Sequence, residues 1–252
     1  MNYRETMNGI LNIHKPAGMS SFKCMSIVKR RLYDQIDPTT RPKFKNWRVG
    51  FLGTLDPLAS GVLVLLCGKA TKLADSLHAH NQKVYRSVFT FGIETTTLDN
   101  EGEVIARSDV IPTLEQIKKI LPEMVGDIEI EVPKFSAVHI DGKRAYDLAR
   151  QGVDFTPPKK VVNIKRFELI RDLDVPVEPD CEHGALVRRT FEIECQTGTY
   201  IRSLAKLMAQ KLGTVAIAST IIRTRVGDFK IEDAKSLEDV SLKDVITIEN
   251  PK

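Results

Sequence analysis

The sequence predicts an α+β fold, and three observations carry that expectation. Strand-length apolar stretches and helical patterns are mixed without the regular strand–helix–strand beat of a parallel sheet. Val62 to Leu66 is an unbroken apolar run of the kind found in a strand buried on both faces. Tyr200 to Leu212 sets Ile201, Leu204, Ala205, Met208 and Leu212 on one helical stripe, and Gly213 stops it.

The remaining elements follow in order. Gly9 to Lys15 reads as a strand through Ile10, Leu11 and Ile13, closed by the turn Lys15-Pro16-Ala17-Gly18. Ser20 can cap a helix whose apolar face is Phe22, Met25, Val28 and Leu32, with Lys23, Lys29, Arg30 and Arg31 off that face. Asp37 to Lys45 is a loop rich in proline and charge, and a short helix is expected over Thr71 to His80. Tyr85 to Gly92 alternates as a strand. Thr113 and Gln116 make a capping box for a helix to about Leu121, and Gly142 to Gln151 reads as helical with Gly152 as its stop. Strands are expected through Val161 to Ile170 and Leu186 to Cys195, with Asp172 to Gly184 as a loop between them. A last strand, Thr220 to Phe229, leads into a short acidic tail.

Composition excludes several classes. The hydrophobic fraction is 42% and the charged fraction 28%, as in an ordinary globular chain. No apolar run is long enough to span a bilayer, and Met1 to Gly9 carries no secretory signal. Cys24, Cys67, Cys181 and Cys195 are scattered with no CxxC pair, which argues against a zinc ribbon or a disulfide framework and suits a reducing cytoplasm. The five histidines do not cluster, so no metal site is suggested, and neither a P-loop nor a dinucleotide fingerprint is present. Residues 1–50 hold ten Lys/Arg against three Asp/Glu, a balance of +7, so the rest of the +4 chain sums to −3. A basic arm on a near-neutral body is the footprint of a polyanion binder.

Several residues stand out as carriers of chemistry. Asp56 sits in Gly53-Thr54-Leu55-Asp56-Pro57-Leu58-Ala59-Ser60-Gly61, a turn fenced by glycine and proline at the lip of the apolar run. A carboxylate held rigidly there suits covalent catalysis, although an Asp-Pro turn before a strand is also common. Arg202 lies in the first turn of the Tyr200 helix, after Thr197-Gly198-Thr199, where free N–H groups favour an anion. Tyr85, in Lys83-Val84-Tyr85-Arg86, is an aromatic flanked by cations that could stack on a base or carry a proton. Asp99, in Thr95-Thr96-Thr97-Leu98-Asp99, is by default a turn former.

Taken in order, these segments resemble the bacterial tRNA pseudouridine-55 synthase family of the TruB type. Gly9 to Ser21 is similar to its Lys-Pro-x-Gly-x-Thr/Ser-Ser motif, including Lys15 and Pro16, and Gly53 to Leu63 to its catalytic-aspartate motif. Lys83 to Arg86 resembles the segment of the family tyrosine, and Gly92 to Asp99 its G-x-x-T-x-T-x-D run. Pro133 to Arg150, with Gly142-Lys143-Arg144-Ala145-Tyr146 inside it, resembles the segment that closes over RNA. Cys195 to Arg202 matches G-T-Y-I-R, and Arg223 to Phe229 the closing R-T-x-V-G-x-F strand.

The resemblance implies a mixed, largely antiparallel central sheet of the pseudouridine synthase type with flanking helices. It implies that Asp56 is the nucleophile, Arg202 its ion-pair partner, Asp99 a second carboxylate on that arginine, and Tyr85 the residue packed on the flipped base. Lys15, Pro16 and Phe51 would support the site, and Lys29, Arg30, Arg31, Lys83, Lys143, Arg144 and Arg223 would contact RNA. The implied reaction isomerises the T-arm uridine of tRNA without metal or cofactor, in a cytoplasmic monomer with no obligate protein partner. The implied domain spans 1–230, with a thumb-like RNA-contacting segment at 132–152 and a tail at 231–252.

Three features depart from the family pattern. Phe51 stands where a histidine is usual, five residues before Asp56, and His14 stands where an aspartate is common. Phenylalanine can stack on a base but cannot hydrogen-bond, which bears on RNA recognition more than on chemistry. Lys230 to Lys252 is too short for the C-terminal PUA-type domain that relatives often carry, so none is expected. Two alternatives remain beside the leading one: a non-catalytic tRNA chaperone, and a synthase with a different RNA target.

Overall fold

A computed structural model of the chain describes residues 8–80, 82–140, 142–170 and 186–248. The strands run as β1 (Gly9–Lys15), β2 (Val49–Phe51), β3 (Ser60–Cys67), β4 (Lys83–Phe91), β5 (Ile93–Thr95), β6 (Val104–Arg107) and β7 (Gly126–Glu131). They continue as β8 (His139–Ile140), β9 (Lys143–Arg144), β10 (Lys159–Ile170), β11 (Val187–Cys195), β12 (Ala216–Val226), β13 (Phe229–Lys230) and β14 (Ile246–Thr247). The α-helices are α1 (Ser21–Asp34), α2 (Ala74–His80), α3 (Leu114–Ile120), α4 (Ala145–Arg150) and α5 (Ile201–Lys211). The chain divides into two compact units, Met1–Val84 with Ile222–Lys252, and Tyr85–Ile221.

The first unit is built around β3. Strand β1 pairs with it antiparallel from Gly9↔Cys67 to Lys15↔Gly61, and β2 pairs antiparallel from Val49↔Cys67 to Phe51↔Leu65. The end of β12 joins β3 in parallel at Ile222↔Ser60 and Arg223↔Gly61, which makes the sheet mixed. Both faces of β3 are covered, as its unbroken apolar sequence requires. Leu63 and Leu65 pack with Leu11, Ile13 and the Cys24, Val28 and Leu32 face of α1, while Val62, Val64 and Leu66 pack with Leu52, Ala70 and Val226. Helix α1 starts where Ser20 accepts from the Lys23 N–H at 3.2 Å.

The second unit centres on β10, antiparallel to β11 (Phe167↔Ile193) and to β7 (Val162↔Ile128). Phe89, Phe167 and Phe191 form an aromatic cluster with centroids 4.9–6.1 Å apart, Phe167 edge-on to the other two rings. Thr113 and Gln116 close the expected capping box on α3. Helix α5 buries Ile201, Leu204, Ala205 and Met208, as the stripe predicts, together with Ala209.

Several sequence expectations are corrected. Phe22 is 68% exposed, while Ser21 and Cys24 join the buried face of α1 instead. The helix expected from Gly142 starts only at Ala145, because Lys143–Arg144 pairs with His139–Ile140 around Gly142. Strand β4 is buried at every position except Arg86, not on alternate faces. Strand β12 begins at Ala216 and ends at Val226, and a turn returns it as β13. Gly68–Leu73 forms a 3-10 turn ahead of α2. Strands β2 and β7 had no clear sequence signal. Residues 231–248, read as tail, supply β14 on the edge of β1 and place Val240 and Val245 in the first unit's core. The loop expected at 172–184 lies outside the described residues.

Candidate active site

In the first unit the segment from Gly53 to Val62, a loop that runs into β3, carries Asp56, which is half-buried. Sequence dictates its shape at both ends. Gly53 adopts φ +65°, and an added Cβ there would stand 2.4 Å from Lys83 Nζ. Gly61 adopts φ +104°, and a Cβ would stand 2.2 Å from the Arg223 carbonyl oxygen, so glycine is what lets β12 lie against β3. Between them the Ala59 N–H donates to the Asp56 carbonyl at 3.1 Å, closing the Asp-Pro turn.

Three buried polar side chains hold this loop. Ser21 Oγ accepts from the Leu55 N–H and donates to the Leu55 carbonyl, both at 2.8 Å. Lys15, wholly buried, donates through Nζ to the carbonyls of Pro16 (2.9 Å), Met19 (2.5 Å) and Pro57 (3.2 Å). The Gly18 N–H also reaches the Pro57 carbonyl, so the turn after Lys15, exposed at Pro16-Ala17-Gly18, is tied to the residue after Asp56. Arg223 donates from Nε to Val62 O (2.8 Å) and from Nη2 to Gly53 O (3.1 Å), stapling the loop at both ends.

This corrects the expectation for Arg223 as a surface RNA contact. It is 0% exposed, because the loop's turned-in carbonyls need a buried donor and a strand cation supplies it. Lys83 is likewise buried rather than presented to solvent. Phe51 is half-buried on β2, packed on the α1 core. Lys29 is half-buried, and Arg30 and Arg31 are exposed on α1. Ser21 was missed by sequence reasoning. The signal was the second serine of Ser20-Ser21, since the cap needs only the first.

In the second unit Arg202 and Asp99 meet. Arg202 is buried in the first turn of α5 and donates to the carbonyls of Thr97 (2.8 Å) and Phe135 (3.0 Å). Its Nη1 lies 3.5 Å from Asp99 Oδ2, so it is no solvated helix arginine. The other Asp99 oxygen accepts from Thr97 Oγ1 and the Glu101 N–H. Thr95 fixes the turn by accepting from the Asp99 N–H and donating to its carbonyl, while Leu98 takes φ +62°. Arg202 thus joins the Asp99 turn to the segment that starts at Val132. In that segment the Tyr146 N–H donates to Ser136 O and the Ala145 N–H to Val138 O, which folds the hairpin of exposed Lys143 and Arg144 back on itself. Tyr85, the third residue of β4, is buried at 6% exposure. Among the described residues no three His, Cys, Asp or Glu are grouped to hold a metal, and no helix is long and apolar enough to cross a membrane.

Comparisons with known proteins show the family to which the chain belongs. The structure is similar to that titled "Crystal Structure of a Cbf5-Nop10-Gar1 Complex" (TM-score 0.62, 24% identity, 94% of this chain and 54% of that one). It is also similar to "Structure of H/ACA RNP bound to a substrate RNA containing 2'-deoxyuridine" (TM-score 0.61, 22% identity, 94% and 53%). The chain spans about half the length of those two, and the likeness shows that it shares their fold. Residues 41–201 match the family described as TruB family pseudouridylate synthase (N terminal domain). Relatives named tRNA pseudouridine synthase B include that of Caulobacter vibrioides, 39% identical over 93% of this chain and 68% of the relative. That of Caldicellulosiruptor saccharolyticus is 38% identical over 97% and 76%, and that of Borreliella burgdorferi 37% over 97% and 79%. The chain belongs to the TruB family of pseudouridylate synthases.

Proposed function

We propose that this protein isomerises the T-arm uridine at position 55 of tRNA to pseudouridine, with Asp56 as nucleophile. The observation that carries the reading is the Asp56 loop, pinned by Ser21, Lys15 and Arg223 inside a chain of TruB-family sequence. Relatives so named act on tRNA, and this chain covers more than two thirds of their length.

In the reaction the carboxylate of Asp56 attacks the uracil ring or C1′ of the ribose. The N1–C1′ bond breaks, the base turns, a C5–C1′ bond forms, and the bond between Asp56 and the substrate breaks, which restores the free carboxylate. The C5 proton leaves and N1 ends protonated, so atoms balance without redox or hydrolysis. A pinned loop suits this step, because a nucleophile held near its attack geometry has less motion to lose. Reaching the base requires flipping it from its stack, at about a few kcal/mol. We assign Tyr85 to packing on the flipped base and to proton transfer, and Arg202 with Asp99 to charge balance around the nucleophile. Lys29, Arg30 and Arg31 contact phosphates, the 132–152 segment with Lys143 and Arg144 closes on the RNA, and Phe51 stacks where relatives use histidine. The enzyme acts in the cytoplasm, in line with its scattered cysteines, and as a monomer, since no exposed apolar helix stripe stands out in the sequence.

The test is tritium release from C5-labelled uridine in an unmodified tRNA transcript, wild type beside Asp56→Asn. Release by the wild type alone supports the assignment. Binding without release by either protein overturns it and leaves the chaperone reading or a different RNA target.

A further inference from the structure

The stretch from Lys29 to Arg48 is absorbed only in part by the site above. It holds seven cations (Lys29, Arg30, Arg31, Arg41, Lys43, Lys45, Arg48) against two carboxylates (Asp34, Asp37), a balance of +5. Neither acid neutralises the far end of the stretch. Asp34 is taken by Arg30 at 2.9 Å and Arg41 at 4.0 Å. Asp37 is turned inward on Thr39, accepting from its N–H and Oγ1, which holds its carboxyl below the ordinary value. Lys43, Lys45 and Arg48 are exposed and make no ion pair with any described carboxylate.

These cations sit on an ordered aromatic base. Tyr33 meets Phe44 edge-on at 5.0 Å and stacks on the buried Trp47 at 6.5 Å. Its hydroxyl donates to the Pro42 carbonyl at 2.7 Å, which fixes the loop to α1. Lys29 Nζ stands 4.4 Å from the ring centre of Phe44, a residue 37% exposed, and Arg41 stands 4.7 Å over Tyr33. Beyond Arg48 the chain passes into β2 and reaches Asp56 eight residues later. Unpaired like charges repel, so a rigid loop that crowds them suits a polyanionic partner. Cations interleaved with aromatic rings are how single strands and unstacked nucleotides are gripped.

We propose that residues 41–48 form a second RNA-contacting platform, with Lys43, Lys45 and Arg48 on phosphates and Phe44 against a base. It rests on the reading of this chain as an RNA-modifying enzyme and extends the contact surface beyond α1. An RNA strand is favoured over a lipid surface because the apolar element is a ring pinned on edge, not an insertable stripe.

The experiment compares full-length wild type, K43A/K45A and F44A with K118A/K119A, which removes two exposed charges from α3. Binding of an unmodified tRNA transcript is measured from about 50 to 200 mM salt. K43A/K45A should weaken binding about tenfold at low salt and flatten the log–log salt slope by about 2, while K118A/K119A matches wild type. F44A should weaken binding without changing the slope. An unchanged affinity and slope in K43A/K45A, or an equal loss in K118A/K119A, overturns the platform. So does loss of binding to anionic phospholipid vesicles with tRNA binding intact. Tritium release by the wild type is read in the same preparation. Its absence with platform-dependent binding retained sinks the enzyme reading alone, and its presence with platform-independent binding sinks the platform alone.

Discussion

The buried guanidinium of Arg223 donates to the Gly53 carbonyl at 3.1 Å while its Nε holds the Val62 carbonyl at 2.8 Å. One side chain therefore sets the distance between the two ends of the loop that presents Asp56. Arg223→Met should remove both bonds and leave two turned-in carbonyls without a donor, destabilising the fold by about 3 kcal/mol. Arg223→Lys keeps a charge and can make one bond in place of two, so it should fall between. Urea unfolding reads the stability. Single-turnover tritium release, at a temperature where each variant is folded, reads the loop. A folded Met variant with wild-type turnover would show that the staple serves stability alone.

Ser20 and Ser21 are adjacent but should separate cleanly. Ser20→Ala removes a helix cap and should cost about 1 kcal/mol with turnover unchanged. Ser21→Ala leaves the Leu55 N–H and carbonyl unsatisfied in a buried place. It should cost about 1–3 kcal/mol and slow the single-turnover rate as well. Equal turnover in the two variants would refute a role for Ser21 in placing Asp56.

What was legible in the sequence depended on what periodicity can encode. The run Val62 to Leu66 announced a doubly buried strand, and the capping signals at Ser20 and Thr113 are local chemistry that the structure reproduces. Phe22 misled because spacing of three residues is nearly helical. It lies roughly 100° from the centre of the stripe that Ser21, Cys24, Val28 and Leu32 bury, at 100° per residue. Arg223 misled for a deeper reason. A cation in a strand reads as surface unless one knows that a distant loop turns two carbonyls toward it, and that knowledge is tertiary. Ser21 and the carbonyls of Thr97 and Phe135 were hidden in the same way, since backbone acceptors have no sequence signature.

Two glycines of positive φ should respond differently to alanine. Gly18→Ala, at φ +77° with nothing within 4 Å of the new Cβ, should cost about 1 kcal/mol for the left-handed backbone alone. Gly61→Ala adds a clash with backbone, 2.2 Å from Arg223 O, that no rotamer can relieve. It should cost well over about 3 kcal/mol or prevent folding. Midpoints of urea unfolding check the order, and similar midpoints would mean that β12 can give way at Gly61.

Burial pushes the Cys24 thiol up to about 11, against a smaller opposing pull from Lys15, and the Cys67 thiol to about 12. Both should stay protonated and unalkylated by iodoacetamide at pH 8 in the native protein, as peptide mapping would read. The linkage also has a sign. From the ordinary thiol value of 9.0 upward the unfolded chain releases protons that the native chain keeps. Stability from these groups is therefore complete below pH 9 and declines as pH rises toward 11–12. Cys67→Ala should flatten that decline, and an unaltered alkaline slope would assign it to other groups.

Asp99 and Arg202 should prove unequal partners. The 3.5 Å separation is long for a paired fork, and Arg202 has two carbonyls besides. Asp99→Asn keeps an acceptor for the Glu101 N–H and Thr97 Oγ1, so the turn should survive with a modest stability loss, about 1 kcal/mol. Arg202→Lys keeps the charge but cannot span Thr97 O and Phe135 O with a planar fork. It should release the 132–152 segment from the Asp99 turn. Hydrogen exchange in residues 135–146 should then rise in Arg202→Lys and remain near wild type in Asp99→Asn. The same ranking should hold for single-turnover rate, with Arg202→Lys slower by at least about tenfold, equivalent to 1.4 kcal/mol or more of barrier. If Asp99→Asn loosens the segment as much as Arg202→Lys does, the carboxylate rather than the carbonyl pair is what fixes the arginine.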